Sequence, residues 1–200
     1  MQMRKGGSVR RARPGRRENK KLLVVTEGEI TEIQYVQGLT QHLRTAGVTV
    51  VPCTVQRGGG EPSRVLARAR ALAAKGDYEA VWLVVDVDDH ATLDAVLRQC
   101  DTGSETVVVS NPQFEVWLLW HFTDSTAPHT AGSLKKELRR HGFVGACKHL
   151  PADFPFDRVD HAVGVAKDKS RATALNTRGP NPSSSMHLLV AALQGRAAGT

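Results

Sequence analysis

Lys21-Leu22-Leu23-Val24-Val25-Thr26-Glu27-Gly28 is the stretch of this chain that decides its fold class. A short apolar and β-branched run that ends in an acid and a glycine is typical of a buried strand in a parallel sheet. The apolar residues that follow recur at helical spacing as far as Gly47: Ile30, Ile33, Val36, Leu39, Leu43 and Ala46. The stretch therefore predicts a first strand and a first helix that packs on it.

The same alternation of strand and helix continues along the chain. Further strands are predicted over residues 48–55, 80–86 and 106–109. Helices are predicted between them, from Pro62 to Gly76 and over residues 91–100. Because apolar strands alternate with helices over short connections, the pattern predicts an α/β fold with a mainly parallel sheet covered by helices.

The chain beyond the fourth strand is predicted to be helical. Asn111 and Pro112 follow this strand, and we expect them to cap the next helix and to occupy its first turn. Three more helices are predicted over residues 133–141, 157–175 and 183–193. The sheet should therefore carry a C-terminal helical extension.

The positive charge of the chain is concentrated at its N-terminus. Residues 1–21 hold nine lysines and arginines against Glu18, a net charge of +8, so the remainder carries −1 of the total of +7. A segment without apolar periodicity buries too little surface to offset its ordering entropy. We expect a disordered basic tail over residues 1–20, which either contacts phosphates or only aids solubility, and a single domain over residues 21–200.

Cysteine content and the length of apolar runs exclude several classes of protein. The cysteines are odd in number and widely spaced, which supports neither a disulfide framework nor a CxxC zinc site: Cys53, Cys100 and Cys147. No apolar run reaches the roughly 18 residues of a membrane span, and the basic N-terminus lacks the apolar stretch of a secretory signal. We expect a cytoplasmic protein without membrane association.

Acidic residues follow three of the predicted strands. Glu27 comes after the first strand, Asp86 and Asp88 after the third, and Glu115 after the fourth. Because the carboxyl ends of parallel strands meet at one edge of a sheet, these acids should lie close together. Asp86 and Asp88 should project to one side of an extended chain, and their oxygens suit Mg²⁺. The pattern predicts a metal site acting on phosphodiesters, with Glu27 as a ligand or as the general base.

Each of these residues also has an ordinary explanation. A lone Asp-x-Asp is often a pair of solvated loop acids, while Glu32 and Glu115 fall in first helical turns, where acids favour the helix dipole without a metal. Lys167 is either a contact to the scissile phosphate or part of a solvated helix face. His90 and His121 are close to the predicted site only in sequence, since no histidine pair has metal-ligand spacing.

Three functions are compatible with these residues. The first is a nuclease in which one or two ions are held by acids and water attacks phosphorus. The second is a phosphatase or phosphotransferase with Asp86 as the nucleophile, because an apolar strand ended by Asp-x-Asp also serves aspartyl-phosphate chemistry. The third is a non-catalytic nucleic-acid-binding subunit that binds through its basic tail.

Four blocks of the sequence resemble the RloB-like family. They are Val25-Thr26-Glu27-Gly28 with Glu32-x-x-Tyr35, Val85-Asp86-Val87-Asp88, Ser110-Asn111-Pro112-x-Phe114-Glu115-x-Trp117-Leu118-Leu119-x-His121-Phe122, and Asn181-Pro182-Ser183-Ser184. The blocks span most of the chain after the tail, and the third is the most specific. The resemblance implies a Toprim-type domain, the metal-binding fold of topoisomerases, primases and overcoming-lysogenisation-defect nucleases.

The resemblance also implies an activity, a cofactor and partners. It assigns Glu27 as the Toprim glutamate and Asp86 and Asp88 as ligands of Mg²⁺ or Mn²⁺, with Glu32 as a further candidate ligand. Glu115 occupies a family position, and Lys167 would supply a late basic residue to catalysis. The expected substrate is RNA, including tRNA, or DNA. The family is associated with bacterial restriction loci and antiphage defence, which implies control by a separately encoded ATPase or sensor subunit.

Overall fold

The computed structural model describes residues 21–87, 90–145, 148–169 and 174–196, with the backbone alone at 168 and 169. The basic segment 1–20, Asp88 and Asp89 lie outside the described residues. The described strands are β1 (Leu22–Thr26), β2 (Cys53–Arg57), β3 (Ala80–Asp86), β4 (Glu105–Asn111) and β5 (Ser183–Ser184). The described helices are α1 (Thr31–Thr45), α2 (Pro62–Ala73), α3 (Leu93–Asp101), α4 (Glu115–Leu119), α5 (Ala131–Arg139), α6 (Val159–Lys169) and α7 (Met186–Leu193), with a 3₁₀ turn at Phe156–Arg158.

The strands form one sheet in the order β2-β1-β3-β4-β5. The first four strands of this order are parallel, and β5 pairs with the end of β4 in the antiparallel direction. The predicted α/β fold with a mainly parallel sheet is therefore confirmed, and the strand order is consistent with a Toprim-like arrangement. This order places the carboxyl end of β1 beside that of β3, and the end of β3 beside that of β4.

Helices cover both faces of the sheet because its strands are apolar on both sides. Leu22 and Val24 of β1 pack with α1 and with the helices from α4 to α7, whereas Leu23 and Val25 pack with α2 and α3. Successive side chains of a strand point to opposite faces, so a strand that is covered twice is apolar at every position. This explains why β1 could be recognised as a continuous apolar run.

The predicted second strand begins later than expected. Residues 48–52 are not part of it, and β2 starts at Cys53. Val48 donates its backbone N–H to Leu43 O at the end of α1, and Val51 donates to Leu193 O at the end of α7. The valines suit a strand, but their backbone groups are engaged by helix ends.

The helix predicted over residues 183–193 is shorter, because its first residues form β5. Ser184 contributes its hydroxyl to a 2.9 Å hydrogen bond with the Ser110 hydroxyl of β4. Ser185 then accepts the Val109 N–H on its Oγ at 3.0 Å, and α7 begins at Met186. Serine hydroxyls that bond to a neighbouring strand compete with helix formation.

Two further helix predictions were wrong at their ends. Asn111 does not cap a helix, because it pairs with Ser183 as the last residue of β4 and its side-chain Nδ2 donates to Gly179 O at 2.7 Å. Pro112 is likewise outside α4, which begins at Glu115. The described part of the helix predicted as far as Leu175 is Val159–Lys169, residues 174 and 175 are not helical, and Asn176 donates its backbone N–H to Val107 O of β4.

The structure bears on two expectations from composition, the absence of a membrane span and the absence of disulfides, for the described residues alone. No helix among them is long and apolar enough to cross a membrane. Cys53 and Cys100 are free thiols, and Cys147 lies outside the described part of the chain.

Candidate functional site

The carboxylate of Glu27 connects the ends of β1 and β3. Its Oε2 accepts the backbone N–H of Asp86 at 3.1 Å, and its Oε1 lies 2.7 Å from Nε2 of His90. The Glu27 backbone N–H donates to Val84 O, which holds the first residue after β1 against β3. The Glu27 side chain is only 12% exposed. The structure therefore brings together the two acidic loops that the sequence placed at the carboxyl ends of these strands.

His90 is a member of this site that the sequence pattern did not assign to it. Its side chain is 25% exposed and forms the 2.7 Å ion pair or hydrogen bond with Glu27. The available signal was its position immediately after the acidic run that ends β3. With the Asp86 N–H, His90 provides a donor to each oxygen of Glu27, which holds the carboxylate in one orientation.

Glu32 lies beside the same loop and is almost completely buried. Its carboxylate accepts the Gly28 N–H at 3.0 Å, and its exposed fraction is 7%. Burial, with smaller contributions from the charges of Glu115 and Glu27, raises the pKa of Glu32 to about 7. Near neutral pH, protonated and ionised forms of Glu32 therefore coexist.

The Glu32 carboxyl group lies close to the α-carbon of Gly28. A Cβ built on Gly28 would overlap the Glu32 carboxyl group. The Gly28 carbonyl accepts the Thr26 hydroxyl at 2.7 Å, which fixes the turn after β1. The Glu-Gly pair thus has two functions, since Glu27 reaches β3 while Gly28 leaves room for Glu32.

A pocket of about 220 Å³ opens between the start of α1 and the start of α4. Its lining consists of Gly28, Glu29, Ile30, Thr31, Glu32, Asp86, Gln113, Phe114, Glu115 and Lys148. Asp86 belongs to the face of β3 that also carries Trp82 and Val84, and those residues pack on the side of α1 and α4. The pocket therefore shares one wall, Asp86, with the Glu27 site.

Lys148 is the basic residue in the lining of this pocket. The Thr31 hydroxyl donates to Lys148 O at 2.8 Å, and Leu150 donates its backbone N–H to Gln34 Oε1 at 3.1 Å. These two bonds attach the segment that carries Lys148 to α1. No sequence pattern indicated this residue, because it is distant in the chain from every acid of the site.

A family model for RloB-like proteins matches residues 22–193. This chain belongs to the RloB-like family. The match extends from β1 to the end of α7 and includes all four sequence blocks quoted above. No curated protein and no solved structure matches the chain.

The RloB-like block that ends at Phe122 contributes to the core as well as to the pocket. Nδ1 of His121 lies 3.1 Å from Trp117 O, and Nε2 lies 3.2 Å from the Tyr35 hydroxyl. Because a carbonyl oxygen only accepts, Nδ1 donates and Nε2 accepts from Tyr35. Burial lowers the pKa of His121 to about 4. His121 and Tyr35 therefore fasten α4 to α1 behind the pocket.

Of the three remaining predicted site residues, one lines the pocket, one lies away from it and one is outside the described residues. Glu115 is the first residue of α4 and lines the pocket with Glu32 and Asp86. Lys167 is exposed on α6 and does not line the pocket. Together with the larger effect of burial, the charge of Lys167 lowers the pKa of His187 on α7. Asp88, the second residue of the predicted metal motif, lies outside the described residues.

The donors of this RloB-like site are chemically suited to Mg²⁺. The side chains around Asp86 supply carboxylate oxygens, the ligands that this hard ion prefers. Within residues 21–87, 90–145, 148–169 and 174–196, no group of three His, Cys, Asp or Glu side chains forms a metal-binding arrangement.

Proposed function

We propose that this RloB-like chain is a Mg²⁺-dependent nuclease that hydrolyses phosphodiester bonds of RNA, including tRNA, or of DNA. The observation that carries the proposal is the hydrogen bond from the Asp86 backbone to the Glu27 carboxylate, which joins two acidic loops at one edge of the sheet. Parallel α/β sheets place their functional sites at this edge. Membership of the RloB-like family is compatible with the same activity.

In this proposal the acids of the two loops would hold the ion. Asp86 and Asp88 are the principal ligands, with Glu27 and Glu32 as further oxygen donors, and Mn²⁺ is an alternative ion. A bound ion of this kind supplies an activated water and neutralises phosphate charge. His90 and the Asp86 N–H keep Glu27 oriented toward the reacting phosphate, where the carboxylate binds or accepts a proton. Glu115 and Lys148 contact the substrate from the pocket wall.

We also propose a cellular setting for this activity. The association of the family with restriction loci supports a role in antiphage defence in the cytoplasm. A nuclease that acts on cellular nucleic acid requires control, which supports a separately encoded ATPase or sensor subunit as partner.

A cleavage assay with tRNA and plasmid DNA tests the proposal. Purified protein is compared in Mg²⁺, Mn²⁺ and EDTA with the variants Glu27→Gln and Asp86→Asn. Asp77→Asn is the matched control, because Asp77 is an exposed acid that precedes β3 and does not line the pocket. We expect metal-dependent cutting that falls at least about 100-fold in the first two variants, as for groups that contact the reacting atoms.

Other outcomes would assign a different function. Hydrolysis of a small phosphate ester without nucleic-acid cleavage would indicate the phosphatase chemistry of Asp86. Calorimetry that finds no Mg²⁺ binding sensitive to Asp86→Asn, together with the absence of cleavage, would contradict the enzyme and favour a binding subunit. Intact Mg²⁺ binding without cleavage would direct the search to the partner subunit.

A further inference from the structure

The pocket beside Asp86 has the size of one nucleobase. Its volume is about 220 Å³, and a protein cavity of about 150 Å³ is known to hold benzene. One planar base therefore fits, whereas a base pair does not. Because Asp86 forms one wall, a strand whose phosphate lies at the Glu27 site would have its neighbouring base at the pocket.

The lining of the pocket is suited to the edge of a base rather than to an apolar ligand. Glu32 and Glu115 both line it, and the oxygens of an ionised carboxylate accept hydrogen bonds without donating any. Adenine, cytosine and guanine carry an exocyclic amino group with two N–H donors, whereas the base edge of uracil offers only its ring N3–H. The lining therefore favours an amino-bearing base.

Lys148 supplies the charge that a nucleotide phosphate needs. It lines the pocket but is itself exposed, and it forms no ion pair with any residue that the structure describes. The Thr31 hydroxyl bond to its carbonyl keeps it at the pocket. An ammonium in this position would be within reach of the phosphate of a nucleotide whose base lies inside.

We propose that this pocket binds one unpaired nucleotide with an amino-bearing base, held by the pocket acids at its base and by Lys148 at its phosphate. The proposal rests on the proposed nuclease and restricts its substrate to single-stranded, looped or extruded nucleotides. An enzyme that accepts one nucleotide in a pocket of this size discriminates against the intact duplex by the energy of unstacking and unpairing.

Mononucleotide binding to the full chain provides the first test. Saturation-transfer NMR in EDTA compares GMP, AMP and CMP with UMP, and ribose 5-phosphate serves as a control for phosphate binding alone. We expect each amino-bearing nucleotide to bind about tenfold more tightly than UMP, which matches one hydrogen bond to a charged group. Equal binding of UMP, ribose 5-phosphate and GMP would overturn the proposal.

Substitutions at two lining residues locate the binding. Ile30→Trp fills the pocket and should weaken GMP binding at least tenfold, whereas Ile30→Ala leaves the space open and should retain it. Lys148→Gln should weaken the binding of all these nucleotides equally. For single strands it should also reduce the slope of log affinity against log salt concentration by about 0.7. Lys136→Gln, on α5 and away from the pocket lining, is the matched control for charge. GMP binding that Ile30→Trp leaves unchanged would exclude the pocket.

A comparison of strands separates this inference from the proposed nuclease. One oligonucleotide is tested alone and paired with its complement, for binding in EDTA and for cutting in Mg²⁺. We expect single strands to be bound and cut at least tenfold better. If single and paired strands are cut equally and Glu27→Gln abolishes the cutting, the nucleotide pocket is refuted and the nuclease proposal stands. Nucleotide binding in the pocket without any cutting, and without Mg²⁺ binding that Asp86→Asn removes, would support the pocket and refute the nuclease.

Discussion

Glu32 is an acid of the site whose pKa lies near neutral pH. Its folded-state pKa of about 7 exceeds the ordinary value of 4.5. Folding therefore favours the protonated form, and the free energy of unfolding contributed by this group falls as pH rises from 4.5 through 7. The full shift corresponds to about 3 kcal/mol at higher pH.

Glu32→Gln should remove this pH dependence. The amide oxygen can still accept the Gly28 N–H, but it carries no charge. We expect the variant to be more stable than the wild type by about 1–3 kcal/mol at pH 8 and equally stable below pH 4.5. Urea unfolding at a series of pH values measures the difference.

The pH-dependent difference between Glu32→Gln and the wild type can be assigned to Glu32 for two reasons. The buried His121 has the opposite effect, because its lowered pKa of about 4 destabilises the fold as pH falls below 6.5. It is present in both proteins and cancels in the difference. Glu29→Gln changes an exposed acid on the same loop, so it should show no such pH-dependent gain. A stability difference for Glu32→Gln that does not vary with pH would contradict the assignment.

Gly28→Ala should destabilise the protein, because the added methyl group overlaps the Glu32 carboxyl group. We expect a loss of about 1–3 kcal/mol, the usual cost of overpacking, together with loss of the Gly28–Glu32 hydrogen bond. Chemical denaturation measures the loss.

Gly164→Ala is the matched control for this substitution. Gly164 lies inside α6, and a Cβ added there meets nothing within 4 Å. We expect this variant to gain about 0.5–1 kcal/mol from helix propensity. If both alanines had the same effect on stability, the steric account of Gly28 would be wrong.

Among the secondary-structure elements, β4 has an unusual outer edge. Besides the short strand β5, two residues that are not in a strand form hydrogen bonds with the backbone N–H and C=O groups of β4. Asn176 accepts the Val107 N–H on Oδ1 at 2.7 Å and donates its own N–H to Val107 O at 2.9 Å. Ser185 does the same for Val109, with distances of 3.0 and 3.1 Å. The edge is thus closed without a long strand, which removes a surface that could pair with another chain.

Asn176→Gly should uncover part of this edge. Asn176 has a φ of 58°, a conformation that glycine adopts freely, so the variant removes the side chain without backbone strain. The buried Val107 N–H loses its acceptor, which costs about 1–3 kcal/mol. Hydrogen exchange should become faster at the Val107 amide.

Asn176→Ala extends the test of the same position. It removes the side chain and also disfavours the positive φ, so it should be less stable than the glycine variant by about 1 kcal/mol. Unchanged exchange at Val107 in both variants would show that the Asn176 side chain does not protect the edge.

At the scale of the whole molecule, charge divides the chain into two parts. Residues 1–21 carry +8, whereas the rest of the sequence carries −1. Binding of nucleic acid that depends on salt should therefore originate mainly in the tail, whereas specificity and chemistry should originate in the sheet edge.

Deletion of residues 1–20 should separate these contributions. We expect the truncated protein to bind nucleic acid more weakly, with a shallower dependence of affinity on salt, and to retain metal-dependent cleavage at low salt. Fluorescence anisotropy over a salt series and the cleavage assay measure the two properties. Loss of all cleavage at every salt concentration, with binding abolished, would instead indicate that binding through the tail is the whole function.

The sequence by itself determined the α/β class, the presence of four parallel strands and the acids at the carboxyl ends of three of them. These features are local, because burial of a strand on both faces requires a continuous apolar run, and the residue after such a run must lie at the sheet edge. The location of Glu27 and Asp86 at one sheet edge therefore follows from the strand pattern, whereas their direct contact also depends on the strand order, which places β1 beside β3. The end of the helix predicted over residues 157–175 and the start of the one predicted over 183–193 do not follow from the strand pattern. Ser183, Ser184 and Asn176 are common in turns, at helix caps and at strand edges alike.

Only the tertiary structure decided which distant residues complete the site. Lys148 reaches the pocket through the Thr31 bond, and His90 reaches Glu27 through a loop whose path no periodicity encodes. The same is true of Asn176 and the edge of β4. In each case the partner is selected because a buried backbone or carboxylate group must be satisfied, and the sequence states that need without stating which residue meets it.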